Sequence, residues 1–229
     1  MKNGIILLLA TCFLAFHGKA QDTDPDAVDH FNVSNITDIN PMHSFTIEIG
    51  LPVILANKFN QRYMDGMLYF SPYYQYTFDS HLALGAGVFF NYTRIKSTAI
   101  AETVFGGNST LGAFFKISHE KFHSTRFATD IGVKMGAAQA FYKSNKLTLK
   151  GERSTDLGVY IEPNIGFILT VAEKSSFRFM LGYNMTAIPF NNQTIAMESD
   201  GAMSGKDFRK FQQYLTIGFG YTFYAKTRR

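Results

Sequence analysis

Few residues in this chain could do chemistry. Its only cysteine is Cys12, inside an apolar run near the start, and tryptophan is absent. If that run is removed on export, no thiol nucleophile, thiolate metal site or disulfide is left. Of six histidines, His17 lies within the first twenty residues, and the other five (His30, His43, His81, His119 and His123) could serve as bases. The acids Asp65, Glu102, Glu152, Glu198, Asp200 and Asp207 show no paired-carboxylate spacing and read as solvated loop charges. There is no spacing for a metal centre, and Gly85-Ala86-Gly87 sits in a strand pattern instead of a phosphate loop. The expectation is therefore no catalytic, cofactor-binding or metal site.

One set of charges does stand out. Glu48, Asp130 and Glu162, with Lys116, Lys134 and Arg178, each interrupt a row of small or polar residues that alternates with a bulky apolar row. Three acids match three bases. Lys116 and Asp130 fall on stretches joined by a short turn, and Lys134 and Glu162 on the next pair. Charges removed from water must be paired and hydrogen-bonded. Such a set makes a polar plug or, as a second reading, a proton or ion path; the plug is favoured.

The alternation shows which elements must carry these residues. From Phe211 to Phe223, Phe211, Leu215, Ile217, Phe219, Tyr221 and Phe223 share one face, with Gln213 the polar exception. The other face holds Gln212, Tyr214, Thr216, Gly218, Gly220 and Thr222. Period two means an extended strand. The face opposite the apolar one is small and nearly uncharged, which suits a lumen better than bulk water. Similar patterns run over 44–51, 67–78, 82–93, 111–118, 127–136, 157–169 and 177–186. Connections are long after the first, third, fifth and seventh strands and short after the second, fourth and sixth, with His119 to Thr125 read as a charged turn. This predicts an all-β chain: an eight-stranded antiparallel transmembrane β-barrel with short periplasmic turns and longer external loops. Pro52, Pro72 and Pro163 lie in or beside strands, so bulges are expected there, or a strand end at Pro52. A soluble lipocalin-like barrel or sandwich is the alternative, but it would need charge on its outer face.

The stretch Thr216-Ile-Gly218-Phe-Gly-Tyr221-Thr-Phe223 resembles the C-terminal β-signal of bacterial outer-membrane barrels, with Thr216, Gly218, Tyr221 and Phe223 at the pattern positions; six residues follow Phe223. The segment from about His43 to Tyr224 is similar to the small OmpA/OmpX-like outer-membrane β-barrel family, PorT-like barrels of Bacteroidota included. That resemblance implies location in the cell outer membrane and handling by the barrel assembly machinery. It implies structural, adhesive or complex-subunit roles more often than catalysis. Some barrels of this class modify lipid A, which requires a base near the outer rim. Here every histidine of the expected mature chain falls in the leader or a periplasmic turn.

The start, MKNGIILLLATCFLAFHGKA, combines Lys2, an apolar run and Gly18-x-Ala20, the pattern of a signal peptide over 1–20. Residues 21–42 form an acidic periplasmic leader with Asp22, Asp24, Asp26, Asp29 and Asp38 and no Lys or Arg. The barrel is expected over 43–224, followed by a short basic tail, 225–229. Basic residues of the barrel are scattered, which suits anionic outer-membrane lipid and excludes a nucleic-acid stripe. The long segment 189–207 carries Ile195, Met197 and Met203 among Gly, Ser and acids, an adaptable surface for an outer-membrane protein partner. The expected function is a non-enzymatic structural or interaction barrel; a lipid-A-modifying enzyme or, less favoured, a narrow channel are the alternatives.

Overall fold

The computed structural model describes residues 40–56, 58–96, 105–124, 126–150, 154–172, 174–188 and 211–228. The signal segment, the leader up to residue 39 and the segment 189–207 lie outside the described residues.

Eight strands form one closed sheet: β1 (Asn40–Ala56), β2 (Met64–Thr77), β3 (Leu82–Ile95), β4 (Gly106–Phe122), β5 (Phe127–Ser144), β6 (Ser154–Ala172), β7 (Ser175–Thr186) and β8 (Gln212–Arg228). Each pairs antiparallel with the next, and β1 pairs with β8 from Asn40↔Arg228 to Ala56↔Gln213, which closes the ring. Two short helices, α1 (Lys58–Tyr63) and α2 (Asn145–Lys150), lie in long connections at one end. The tight connections lie at the other. Asp79-Ser80-His81 turns β2 into β3, with His81 N donating to Phe78 O at 3.0 Å and His81 in the left-handed region at φ 63°. That fits a three-residue hairpin loop whose last residue takes positive φ. Between β4 and β5, the Ser124 hydroxyl accepts from the backbone N–H groups of Arg126 and Phe127.

The sheet is inside out compared with a soluble barrel. Leu157 is 75% exposed and Phe115 72%, whereas Lys134 and Glu162 are at 0%. Strand alternation sends the bulky row outward and the polar row into the lumen, as the period of two requires.

The three prolines correct the expectation of bulges. Register shifts occur at Pro41/His43, His43/Ser44, Ile54/Ala56, Gly66/Leu68 and Thr170/Ala172, none of them at Pro52, Pro72 or Pro163. β1 also runs four residues past Pro52, so the strand does not end there. Instead, each proline keeps its pairing on one side and interrupts it on the other. Pro72 pairs with Ile47, while the β3 side passes from Phe70↔Phe90 to Tyr73↔Gly87 in unbroken register. Pro163 pairs with Val133, while the β7 side passes from Ile161↔Met185 to Asn164↔Gly182. Pro52 pairs with Thr216, and the β2 ladder stops at Gly50↔Tyr69. A backbone N–H points at only one neighbouring strand, so its loss removes a single rung and leaves the other ladder intact.

The strands also run further than the alternation of apolar residues suggests. β4 continues through His119, Glu120 and Lys121 to Phe122, where the sequence reads as a turn, and β5 continues to Ser144. At the end of β4, His119 and Lys121 face outward and Glu120 inward, so the hydrophobic signal fades while the backbone ladder persists.

Candidate functional site, the filled lumen

Every strand sends something into the middle of the barrel. β1 contributes Glu48; β2 Tyr69, Tyr73 and Gln75; β3 Phe89; β4 Phe114 and Lys116; β5 Asp130 and Lys134; β6 Tyr160 and Glu162; β7 Arg178. β8 contributes absence of bulk: a Cβ built on its Gly220 would stand 3.2 Å from Glu48 Cγ and 3.5 Å from Arg178 Cβ. Gly182 of β7 likewise lies against the Glu162 carboxyl, where a Cβ would fall 3.0 Å from Cδ. Small residues on these strands leave the width that long ionic side chains on the others fill.

The ionic groups form one network. Lys134 Nζ contacts Glu48 Oε2 at 2.7 Å and Glu162 Oε1 at 3.0 Å, and donates to the Tyr69 hydroxyl at 3.1 Å. Lys116 Nζ pairs with Asp130 and donates to Gln75 Oε1 at 2.8 Å and the Tyr73 hydroxyl at 3.3 Å. An ammonium has three N–H groups, and in both lysines all three have acceptors. Arg178 bridges the two halves, with Nη2 on Asp130 Oδ2 and Nη1 on Glu48 Oε1 at 3.4 Å.

Tyr73 sits at the centre. Its hydroxyl accepts from Lys116 and Arg178 and donates to Glu48 Oε1 at 3.1 Å, which uses its one proton and both lone pairs. Tyr160 donates to Glu162 Oε2 at 2.7 Å, and Tyr69 donates to Glu162 Oε1 at 3.2 Å. Rings close the remaining space: Phe89 stacks on Tyr160 with centroids 4.0 Å apart, and Phe114 meets Tyr73 edge-on at 6.2 Å. Lys134 Nζ lies 5.2 Å from the centre of the Phe114 ring, within cation–π range. Among the described residues Asp130 Oδ1 and Arg178 Nε have no hydrogen-bond partner.

Lys116 is thus placed against Asp130, and Lys134 against Glu162. The sequence did not point to the contacts across the barrel, Lys134 with Glu48 and Arg178 with both Glu48 and Asp130. Tyr69 and Tyr73 were also missed, although their odd numbering puts them on the inward face of β2 with Ser71 and Gln75. The sequence reads Glu120 into a charged turn, 119–125. It is a fourth buried acid, 3% exposed, lying opposite Asp130 in the β4–β5 register. Among the described residues it accepts from neutral groups, Gln75 Nε2 and Thr77 Oγ1, and makes no ion pair.

Histidines of the described residues gather at the short-turn end. His43 bonds to the Tyr74 hydroxyl, His81 and His119 have ring centroids 5.8 Å apart, and His123 contacts Thr129 Oγ1 at 2.8 Å. Among the described residues no group of three or more His, Cys, Asp or Glu could hold a metal ion.

On β8, Thr216 and Gly218 face inward and Phe223 faces outward; Tyr221 stands 4.6 Å from Phe223 and 5.2 Å from Phe177, ring centre to ring centre. A Cβ on Gly218 would come within 2.3 Å of Ile49 O, so β1 approaches too closely for any larger residue.

A closed antiparallel ring of eight strands, charged within and apolar without, satisfies its backbone internally and offers hydrocarbon to its surroundings. This is the fold of an outer-membrane β-barrel. No protein-family model matches the sequence, and no curated protein matches it. Among solved structures it is similar to Neisserial surface protein A, at 10% identity over 80% of this chain and 96% of that one, with a TM-score of 0.49. It is also similar to OprG from Pseudomonas aeruginosa, at 14% identity, 83% and 99% coverage and a TM-score of 0.45. The attachment invasion locus protein Ail of Yersinia pestis is 13% identical, with 79% and 97% coverage and a TM-score of 0.42.

Proposed function

We propose that the protein is a non-enzymatic contact protein of the outer membrane, a subunit or accessory of a larger assembly. The observation that carries this reading is the filled lumen. Its three cations are held by acids and phenols, and rings occupy the space between them. A lumen closed in this way offers no route for solutes and no accessible group for lumenal chemistry. The outer wall and the two ends remain to carry specificity. The external segment 189–207 and the acidic leader are the proposed contact regions, and β8 the strand read by the assembly machinery.

Gentle extraction from native membranes after cross-linking tests this. A stoichiometric species larger than the monomer is expected. Deleting 189–207, or replacing Asp22, Asp24, Asp26, Asp29 and Asp38 by Asn, should dissolve it while the barrel stays folded. A lone monomer, together with altered lipid acyl composition in cells lacking the protein, would overturn the proposal in favour of an enzyme.

A further inference from the structure

The outer wall changes character toward the long-loop end. On β3 the outward row reads Leu82, Leu84, Ala86, Val88, Phe90, Tyr92 and Arg94. From Leu82 to Tyr92 the strand rises roughly 33 Å at about 3.3 Å per residue, or about 25 Å of height at a barrel tilt near 40°. That is the height of the apolar band of such a barrel. Tyr92 thus marks the upper edge of the hydrocarbon, and Arg94 stands in the headgroup layer of the external leaflet.

The register places a second cation beside it. Arg94 pairs with Gly107 on β4, and Gly107 pairs with Lys143 on β5. Both basic side chains are exposed, and they flank a residue without a side chain. Two strand spacings separate their backbones, roughly 10 Å, which two long side chains reaching toward each other can close around a small anion. Tyr92 leans into the gap: a Cβ on Gly107 would stand 3.0 Å from its hydroxyl and 3.0 Å from Cε2. Asp65, opposite Arg94 in register, is engaged by Lys96 at 3.2 Å. Among the described residues neither Arg94 nor Lys143 has an ion pair. Further along the same strands toward the short-turn end, the wall is Leu111, Phe141 and, on the next strand, Leu157, all exposed and apolar.

We propose that Arg94, Lys143 and the Tyr92 hydroxyl form a site for the phosphate of a phosphorylated lipid in the outer leaflet, its acyl chains running over Leu111, Phe141 and Leu157. The arrangement matches the lipid at both levels: a phosphate takes charge-assisted hydrogen bonds from Arg and Lys, and the rows below offer hydrocarbon contact. Aspects of the wall elsewhere, such as Lys121 and Lys174 near the short-turn end, lack this glycine gap. The site rests on membrane insertion and not on the proposed complex, so the two stand or fall separately.

The test uses the full mature barrel, refolded in neutral detergent, with lipid retention read by native mass spectrometry. Phosphatidic acid and diacylglycerol of the same acyl chains are the two probes. Wild type should retain phosphatidic acid at least about tenfold better than the Arg94→Gln/Lys143→Gln variant, the loss expected for one charge-assisted contact or more. Tyr92→Phe should fall between them, Lys121→Gln/Lys174→Gln should match wild type, and millimolar inorganic phosphate should not compete. Folding of each variant is checked by its heat-dependent gel shift. Equal retention by wild type and the Arg94/Lys143 variant would overturn the site, and so would equal retention of diacylglycerol.

Discussion

Replacing Lys134 with Met strikes the network where its geometry is most complete. Lys134 Nζ serves Glu48, Glu162 and Tyr69 at 2.7, 3.0 and 3.1 Å. After the substitution Glu48 keeps Arg178 at 3.4 Å, but Glu162 keeps only the phenols of Tyr69 and Tyr160. The gross attraction at 3.0 Å is about 5–6 kcal/mol with an effective dielectric near 20, which sets a ceiling. Stranding one member of a buried pair costs about 3–5 kcal/mol in practice. Adding Glu162→Gln should restore about 2 kcal/mol, because the amide carries no charge, its oxygen still accepts from one of the two phenols and its NH2 can donate to the oxygen of the other. Urea unfolding in lipid vesicles reads this by far-UV circular dichroism or the gel shift, since the chain has no tryptophan. With a slope of about 2 kcal/mol per molar urea, the single variant should lose about 2 M in midpoint. A Lys134→Met protein within about 0.5 kcal/mol of wild type, the range of an ordinary surface substitution, would refute the reasoning. So would a double variant no more stable than the single.

Three further outcomes follow from the same geometry. Glu120→Gln should change stability by less than about 0.5 kcal/mol or raise it, because no cation is stranded, whereas Glu48→Gln should cost about 3 kcal/mol or more by stripping Lys134 and Arg178 together; equal effects would contradict the assignment. Inserted protein should resist alkaline carbonate extraction and stay electrically silent in planar bilayers, and reproducible large openings would show that the lumen is passable. Tyr221→Ala and Phe223→Ala should lower assembled yield in cells more than refolding yield in detergent, and equal losses in both would assign these rings to packing alone.

Strand parity made most of the barrel legible. In β8 the sequence places Gln212, Tyr214, Thr216, Gly218, Gly220 and Thr222 on one face, and all are buried. The alternation of long and short connections carried the strand order. The ends of strands were harder, because Lys121 and Lys143 continue their ladders outside the apolar band, where no hydrophobic contrast marks a face. Glu120 was lost for that reason. The prolines were misread because the rule against proline in sheets assumes that a missing rung must distort the strand; here one ladder skips a pairing and the other holds register. Neighbouring pairs such as Lys116 and Asp130 follow from adjacency in sequence and sheet. Contacts such as Arg178 with Glu48 depend on the circumference of the closed ring, which no local pattern encodes. Strand parity puts Tyr69 and Tyr73 on the inward face, but an aromatic among aromatics gives no local sign that its hydroxyl is the hub.

The network also bears on the order in which the barrel is made. Glu48 lies on the first strand and Arg178 on the seventh, so in an open sheet they sit near opposite edges and meet only when β1 reaches β8. Lys134, midway along the sheet, then finds Glu48 across the interior. Lys116 with Asp130 and Lys134 with Glu162 can pair on neighbouring strands beforehand, but until that moment Glu48 has no cation and must stay hydrated, which keeps water along one side of the growing sheet. Zipping the final seam and expelling that water become a single event. An unclosed intermediate is therefore barred from the hydrocarbon by its own concave face, and the finished barrel resists reopening for the same reason: parting the seam means rewetting Glu48 and Arg178 together.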